Sequence, residues 1–242
     1  MPESTIRRAV VLAAGRGTRM GDATAEVPKP MLAVRGRPML EHVLENLADA
    51  GVERFLVVVG YRRDVIESHF RKWRLPVDFA VQEAPDGTGS AARLSRGFTA
   101  GEPFLLTFGD ILCGAAAYRR CAGVMEEHPA AAAVMGVRMV DDPWRGAAVY
   151  EEEGRILRVV EKPPPGSSTT HWNSAGLYAF KPAVYDYLER LEPSPRGEYE
   201  LTSALEMMLA GGLELRIAPV EGPWRDVGTP DDLSAVNSTV GG

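Results

Sequence analysis

Near its N-terminus the chain reads Gly15-Arg16-Gly17-Thr18-Arg19-Met20, directly after the apolar run Ala9-Val10-Val11-Leu12-Ala13-Ala14, and shortly afterwards Pro28-Lys29-Pro30. A buried strand that stops at a glycine-rich loop lets backbone N–H groups turn towards an anion with no Cβ in the way. Leu12, Ala14, Gly15, Gly17 and Thr18 would supply the backbone of such a cradle. Arg19 and Lys29 add two cations for a polyphosphate to sit against. The stretch is not a P-loop, since no lysine–hydroxyl pair follows Gly17, and Met20 stands where the dinucleotide fingerprint needs its third glycine. The chemistry these residues suit is the holding of a nucleoside triphosphate.

Other residues with chemical potential are spread along the chain. Asp110 follows the apolar run Phe104–Phe108, and Asp226 lies in Trp224-Arg225-Asp226-Val227-Gly228-Thr229-Pro230. Two carboxylates from separate segments are an economical way to hold Mg²⁺, which keeps several waters and takes phosphate oxygens as further ligands. Asp226 and Thr229 also stand just before a predicted helix, where plain capping is the alternative. Glu161-Lys162-Pro163 ends another strand; its plain alternative is a surface ion pair worth about 0–1 kcal/mol. Gln82, at a strand end, opens the polar loop that continues through Gly87, Thr88 and Gly89. A glutamine amide offers one acceptor and two donors, which match the N3–H and a carbonyl of uracil or thymine. Guanine presents a related pair, so the amide leaves GTP open. Gly87 and Gly89 would let the backbone approach the base.

The strings LAAGRGTRM and PKPML together resemble the signature of the sugar-1-phosphate nucleotidyltransferases, and the chain is similar to the glucose-1-phosphate thymidylyl- and uridylyltransferases. The resemblance implies a Mg²⁺-dependent enzyme that joins a nucleoside triphosphate to a sugar 1-phosphate and releases pyrophosphate. It implies catalytic roles for Arg19, Lys29, Asp110, Lys162 and Asp226. Arg19 and Lys29 would meet the triphosphate, Asp110 and Asp226 the metal, and Lys162 the sugar's phosphate. Glu161 would accept sugar hydroxyls, Asn173 and Gly176 would contact the ring, and Gly146 would offer backbone to it. With Gln82 reading the base, the donor is expected to be UTP or dTTP and the acceptor a hexose 1-phosphate. Guanylyl or cytidylyl transfer, with another sugar phosphate or a phosphocholine-like acceptor, is the rival within the class. A nucleotide-sugar-binding regulatory subunit without turnover is the rival outside it. The sequence departs from the pattern after Asp110, where apolar Ile111-Leu112-Cys113 either alters the metal's surroundings or starts the next helix. It ends at Gly242 without a left-handed β-helix, so a single activity is expected rather than that of the bifunctional acetyltransferase members.

The elements that must position these residues follow from alternating strand and helix signals. Strands are expected at Phe55–Val59, Val77–Val81, Phe104–Phe108 and Ala131–Val137, with helices at about Pro38–Gly51, from Val65 to Trp73 with His69 on the inner face, and at Ser90–Phe98 and Ala115–Glu127. A hairpin is expected at Ala147–Val160, a strand at Leu177–Phe180, helices at Pro182–Leu191 and Glu198–Ala210, and a last short helix from Pro230. This is an α/β pattern, and with the resemblance it implies a Rossmann-like three-layer sandwich whose mixed, mostly parallel sheet carries a smaller sugar-binding lobe. The 242 residues are expected to form one domain, about 1–140 serving the nucleotide and about 141–242 the sugar. A net charge of −6 argues against a nucleic-acid-coating surface. No apolar run approaches the roughly 20 residues that span a bilayer. Cys113 and Cys121 read as reduced core thiols, and the scattered His42, His69, His128 and His171 form no zinc pattern. The expected setting is the cytoplasm, with a homo-oligomer compatible and neither nucleic acid nor membrane as partner.

Overall fold

The computed structural model describes residues 5–238. Its strands are β1 (Arg8–Leu12), β2 (Ala33–Val34), β3 (Arg37–Pro38), β4 (Arg54–Val59), β5 (Val77–Val81), β6 (Phe104–Phe108) and β7 (Ile111–Cys113) in the first half. β8 (Ala133–Met139), β9 (Ala147–Glu152), β10 (Arg155–Glu161), β11 (Trp172–Phe180), β12 (Leu215–Pro219) and β13 (Trp224–Asp226) follow. Among the described residues one sheet of nine strands runs in the order β5-β4-β1-β6-β11-β8-β12-β10-β9. The β5, β4, β1 and β6 ladders are parallel. β11 enters antiparallel between β6 and β8, and β12 pairs parallel with β8. β9 and β10 close the far edge as the expected hairpin.

The helices are α1 (Met39–Asp49), α2 (Arg63–Phe70), α3 (Thr88–Arg93), α4 (Arg96–Thr99), α5 (Ala115–Glu127), α6 (Val184–Leu188), α7 (Leu201–Ala210) and α8 (Pro230–Ser238). Alternation along the buried strands divides the core. Val11, Val57 and Val59 face α1, α2 and α5, whereas Val10, Leu56 and Val58 face α3, α6 and α7. A strand buried on both faces has no solvent side, so its run is continuously apolar. Each such side chain taken wholly out of water contributes about 1.5–3 kcal/mol. These two packed faces make three layers. Among the described residues no helix is long and apolar enough to cross a membrane. Both cysteines are buried and free.

Several expectations differ in detail. His69 is exposed on α2 and meets Glu41 at 2.5 Å, while Trp73 lies beyond the helix and packs edge-on against Phe55 and Phe70. The helix expected over Ser90–Phe98 is split, because the buried Ser95 hydroxyl turns back to the Ala92 carbonyl at 2.6 Å and bonds Tyr185. The strand expected at Ala131–Val137 starts and ends two residues later. Ile111–Cys113 begins no helix: it is strand β7, paired antiparallel with β13.

Candidate functional site

The glycine loop leaves β1 at the carboxyl edge of the parallel strands, where open α/β sheets bind ligands. Its start is fixed by neighbours on both sides. Ala13 N–H donates to the Val58 carbonyl, Gly109 N–H to that of Leu12, and Tyr61 N–H to that of Ala14. Gly17 has φ 64°, and a Cβ there would lie 2.8 Å from the Lys29 Cβ. Glycine is therefore required twice over, by conformation and by the approach of the lysine segment. A 3-10 stretch then runs over Thr18–Thr24, and the Thr24 hydroxyl donates back to the Gly17 carbonyl at 3.2 Å. Thr18 and Arg19 are exposed on it. Lys29, held on a tight turn between two prolines, is only 7% exposed, and its ammonium contacts the Asp110 carboxylate.

The two aspartates come together through the two-stranded ribbon. β7 follows Asp110 directly, β13 ends in Asp226, and their register sets Asp226 opposite Ile111. Val227 N–H donates to the Asp110 carbonyl at 3.1 Å, which closes the ribbon at this end. The apolar Ile111-Leu112-Cys113 thus aligns the second carboxylate with the first. Crowding by protein pushes the Asp226 carboxyl up to about 6, and the Asp110 charge adds to this, while Lys29 and Arg19 oppose it. Asp226 thus senses the other three charges. Arg19 also lies beside Gly228, its Nη1 3.5 Å from where a Cβ would stand. Asp226 is no helix cap: Asp232 accepts from the N–H groups of Gly228 and Thr229 instead, in the first turn of α8.

Gln82 immediately follows β5. Its Nε2 donates to the Asp86 carboxylate at 3.0 Å and to the Gly87 carbonyl at 2.9 Å. Both donors expected to read a base are thus spent inside the loop, and Oε1 remains as the acceptor. Turning the amide over would set Oε1 against two acceptors, so the orientation is chemically fixed. Gly87 also meets a packing need. With φ 133°, a Cβ on it would meet the Tyr199 carbonyl oxygen at 2.3 Å, so the backbone that approaches it is that of Tyr199. The Thr88 hydroxyl accepts from Leu201 N–H at 3.0 Å and thereby caps α7 from another part of the chain.

The residues expected to meet a sugar phosphate form a second group. Lys162 is exposed, sits at φ 42°, and its N–H donates to the Gly146 carbonyl at 2.7 Å. A Cβ on Gly146 would lie 2.4 Å from Asn173 Oδ1, so glycine here admits the asparagine side chain. Asn173 Nδ2 donates to the Ser174 carbonyl, while its buried Oδ1 has no protein partner. Glu161 accepts from the Thr202 hydroxyl at 3.1 Å and pairs with Arg196 at 3.5 Å. Burial, followed by the charge of Glu200, raises its carboxyl above the usual range. Gly176, at φ 72° in the β11 irregularity, packs against Phe108 and Ile111.

A cavity of about 280 Å³ joins the first group. Leu12, Ala14, Gly15 and Gly17 line it, with Arg19, Lys29 and Asp110 as charges. Gln82, Gly87 and Thr88 line it from the polar loop. Asp226 adjoins this cavity through Asp110 but, like Thr18, Gly146, Glu161, Lys162 and Asn173, is outside its lining. Sequence reasoning missed Glu198, which lines the cavity, and the segment around Tyr199 that clasps the polar loop. It also passed over the Trp224 indole, which donates to the Ala175 carbonyl at 2.9 Å and ties β13 to β11. The glycines at 87 and 89 were the available signal for the clasp, because each marks a place where another backbone comes close.

The chain is similar to UTP--glucose-1-phosphate uridylyltransferase AglF of Haloferax volcanii, at 34% identity over 93% of this chain and 93% of that one. It is 31% identical to Bifunctional protein GlmU of Methanococcus maripaludis over 95% of its own length and 53% of the relative's, so it spans about half of that protein. A solved structure of UDP-glucose pyrophosphorylase complexed with UDP-glucose superposes with a TM-score of 0.86 at 20% identity, covering 96% of this chain and 97% of that one, and shares the Rossmann-like α/β fold. A match to the family described as Nucleotidyl transferase extends over residues 8–241. The chain belongs to the nucleotidyl transferase family.

Proposed function

We propose that the chain transfers a uridylyl or thymidylyl group from UTP or dTTP to a hexose 1-phosphate, releasing pyrophosphate in a Mg²⁺-dependent reaction. The observation that carries this reading is the cavity at the carboxyl edge of the parallel strands. There Gly17, Arg19, Lys29, Gln82 and Asp110 share one lining, with Asp226 drawn up to Asp110 by the β7–β13 ribbon. The same reading assigns residues up to about 140 to the nucleotide and the remainder to the sugar, within one domain. A cytoplasmic setting suits the two buried free thiols.

Charge balance supports the metal. Arg19 and Lys29 offset two of the three carboxylates Asp110, Asp226 and Glu198, so a negative charge is left over before an NTP brings about four more. The donors present are hard carboxylate oxygens, as Mg²⁺ prefers, and Asp226, raised first by burial and then by the Asp110 charge, would gain from a cation beside it. Among the described residues there is no cluster of three or more ligating side chains, which fits an ion that takes its other ligands from water and phosphate. Asp110 and Asp226 would hold it, and when bound it supplies neutralisation of the triphosphate.

The chemistry asks little more than placement. An oxygen of the sugar phosphate, already an anion, attacks the α-phosphorus; the bond from that phosphorus to the bridging oxygen breaks, and pyrophosphate leaves. No proton has to be removed from the attacking group, so the step needs no histidine base. The loop backbone at Gly15 and Gly17 would orient the phosphates, and Lys29 and Arg19 would stabilise charge on the departing pyrophosphate. Lys162 would bind the acceptor's phosphate, with Glu161 taking hydroxyl donors from the ring and Asn173 beside it.

The Gln82 acceptor refines the choice of base. Uracil and thymine bear a hydrogen on N3, which Oε1 can accept. Cytosine presents a lone pair there, and two facing acceptors repel. Guanine N1–H is compatible, so guanylyl transfer is the second reading that this amide favours. A matrix of the four triphosphates and dTTP against hexose 1-phosphates, read by pyrophosphate release, tests the proposal. Clear preference for CTP would overturn the role of Gln82. Binding of a nucleotide-sugar with no pyrophosphate released would favour the regulatory-subunit reading, against which the complete set of charges stands.

A further inference from the structure

The segment 194–202 touches both groups of residues. On one side Tyr199 clasps the polar loop: its N–H donates to the Asp86 carbonyl at 2.8 Å, and its carbonyl accepts from Gly89 N–H at 2.7 Å. Leu201 N–H donates to the Thr88 hydroxyl in the same place. On the other side the Thr202 hydroxyl donates to Glu161 Oε2, and Arg196 bridges Glu161, Glu198 and Glu200. Glu200 and Thr202 are buried, at 6% and 7% exposure, and the Ser194 hydroxyl holds Glu200 Oε1 at 2.7 Å.

These contacts form an unbroken chain. Gln82 bonds the Gly87 carbonyl, Gly87 lies against the Tyr199 backbone, and three residues further on Thr202 bonds Glu161. The fit at the clasp is close on both glycines. A Cβ on Gly89 would lie 3.0 Å from the Tyr199 carbonyl oxygen and 2.4 Å from Leu191 Cδ1. Any shift of the polar loop must therefore be taken up by the segment, since packed backbone has no slack. The far end of the segment is hydrogen-bonded to a group assigned to the acceptor.

We infer that segment 194–202 is a positioning strap that makes nucleotide and sugar-phosphate binding cooperative, with Thr202 as the residue that passes the nucleotide loop's position to Glu161. The inference rests on the functional reading above. A nucleotide seated against Gln82 fixes the polar loop, the loop fixes Tyr199 and the first turn of α7, and Thr202 then holds Glu161 in place for the acceptor. By linkage the acceptor tightens the nucleotide by the same factor.

The test is a binding linkage measured by calorimetry, using glucose 1-phosphate and the α,β-methylene analogue of whichever triphosphate is turned over, so that no reaction occurs. In the wild type, saturating analogue should tighten glucose 1-phosphate by roughly tenfold, within the usual range of such couplings. Thr202→Val, which keeps shape and removes the donor, should bring that factor close to one while the affinity for the analogue alone stays within about twofold. Thr202→Ser should restore the coupling. Gly89→Ala, which disturbs the opposite end, should also abolish it, with Glu161 untouched. A wild-type factor of one, or full coupling in Thr202→Val, overturns the strap. Loss of analogue affinity equal to the loss of coupling in Thr202→Val, unrescued by serine, also overturns it in favour of simple loss of structure. Failure of the wild type to turn over any triphosphate with a sugar 1-phosphate overturns the functional reading, and the strap with it.

Discussion

Asp226 stands in a folded protein that does not favour its charge, and replacing it should have opposite effects on stability and on turnover. Its carboxyl is raised from 3.8 to about 6 by crowding and by Asp110. A carboxyl whose pKa is higher folded than unfolded favours the fold fully below the unfolded value. That contribution is lost as the pH rises through about 6. Above that pH the ionised side chain is a strain on the metal-free protein. Two units correspond to about 3 kcal/mol before screening, but the side chain is exposed, and solvent reduces this to roughly 1 kcal/mol. Asp226→Asn removes the charge and keeps the shape. For a chain of this size it should raise the melting temperature by about 2–4 °C near pH 7.5 in EDTA. The gain should shrink below pH 6 and vanish near pH 4, where the native carboxyl is also neutral. Mg²⁺ should stabilise the wild type and leave the variant nearly unaffected. Turnover should fall by about 10²-fold or more, the scale of losing one key electrostatic element. Scanning calorimetry with and without Mg²⁺, beside a pyrophosphate assay, reads all of this. A variant that melts lower than wild type in EDTA at pH 7.5 would refute the reasoning, as would one that keeps normal turnover.

Other outcomes follow from the same geometry. Gly87→Ala drives a methyl into the Tyr199 backbone at a φ that L residues rarely adopt, and should cost about 1–3 kcal/mol of stability and raise the triphosphate KM; a variant with unchanged melting and KM would contradict the clasp. Gln82→Leu should reduce the preference for UTP over CTP by roughly 10- to 100-fold, the worth of one base-reading contact, and an unchanged ratio in competition assays removes that role. Lys162→Ala should act mainly on the sugar-phosphate KM, so an effect confined to the triphosphate KM speaks against it. Asp110→Asn should lower turnover by about 10²-fold or more, tested in the same assay as Asp226→Asn.

The parallel half of the fold was legible because its strands are buried on both faces and read as continuous apolar runs, as at Phe55–Val59 and Phe104–Phe108. That Gly17, Arg19 and Lys29 share one cavity lining agrees with the order of strand, glycine loop and cations in the sequence. What could not be read were the long-range pairings. β7 is three residues long, and nothing in Ile111-Leu112-Cys113 announces a partner more than a hundred residues away. Gln82 is expected to read a base, but which of its atoms is free depends on Asp86 and the Gly87 carbonyl, which only the folded loop brings to it. Residue type points Gly87 to a ligand and the family resemblance does so for Gly146, but the atoms that crowd them belong to Tyr199 and Asn173. His69 has a helical spacing suited to the inner face, yet Glu41 offers it a partner at the surface.

The most direct measurement is pyrophosphate release when UTP or dTTP is mixed with glucose 1-phosphate and Mg²⁺, with EDTA as control. Release that depends on both substrates and on the metal, and is weak with CTP, is the expected result. Release that continues in EDTA, that needs no sugar phosphate, or that is fastest with CTP would contradict the site described here.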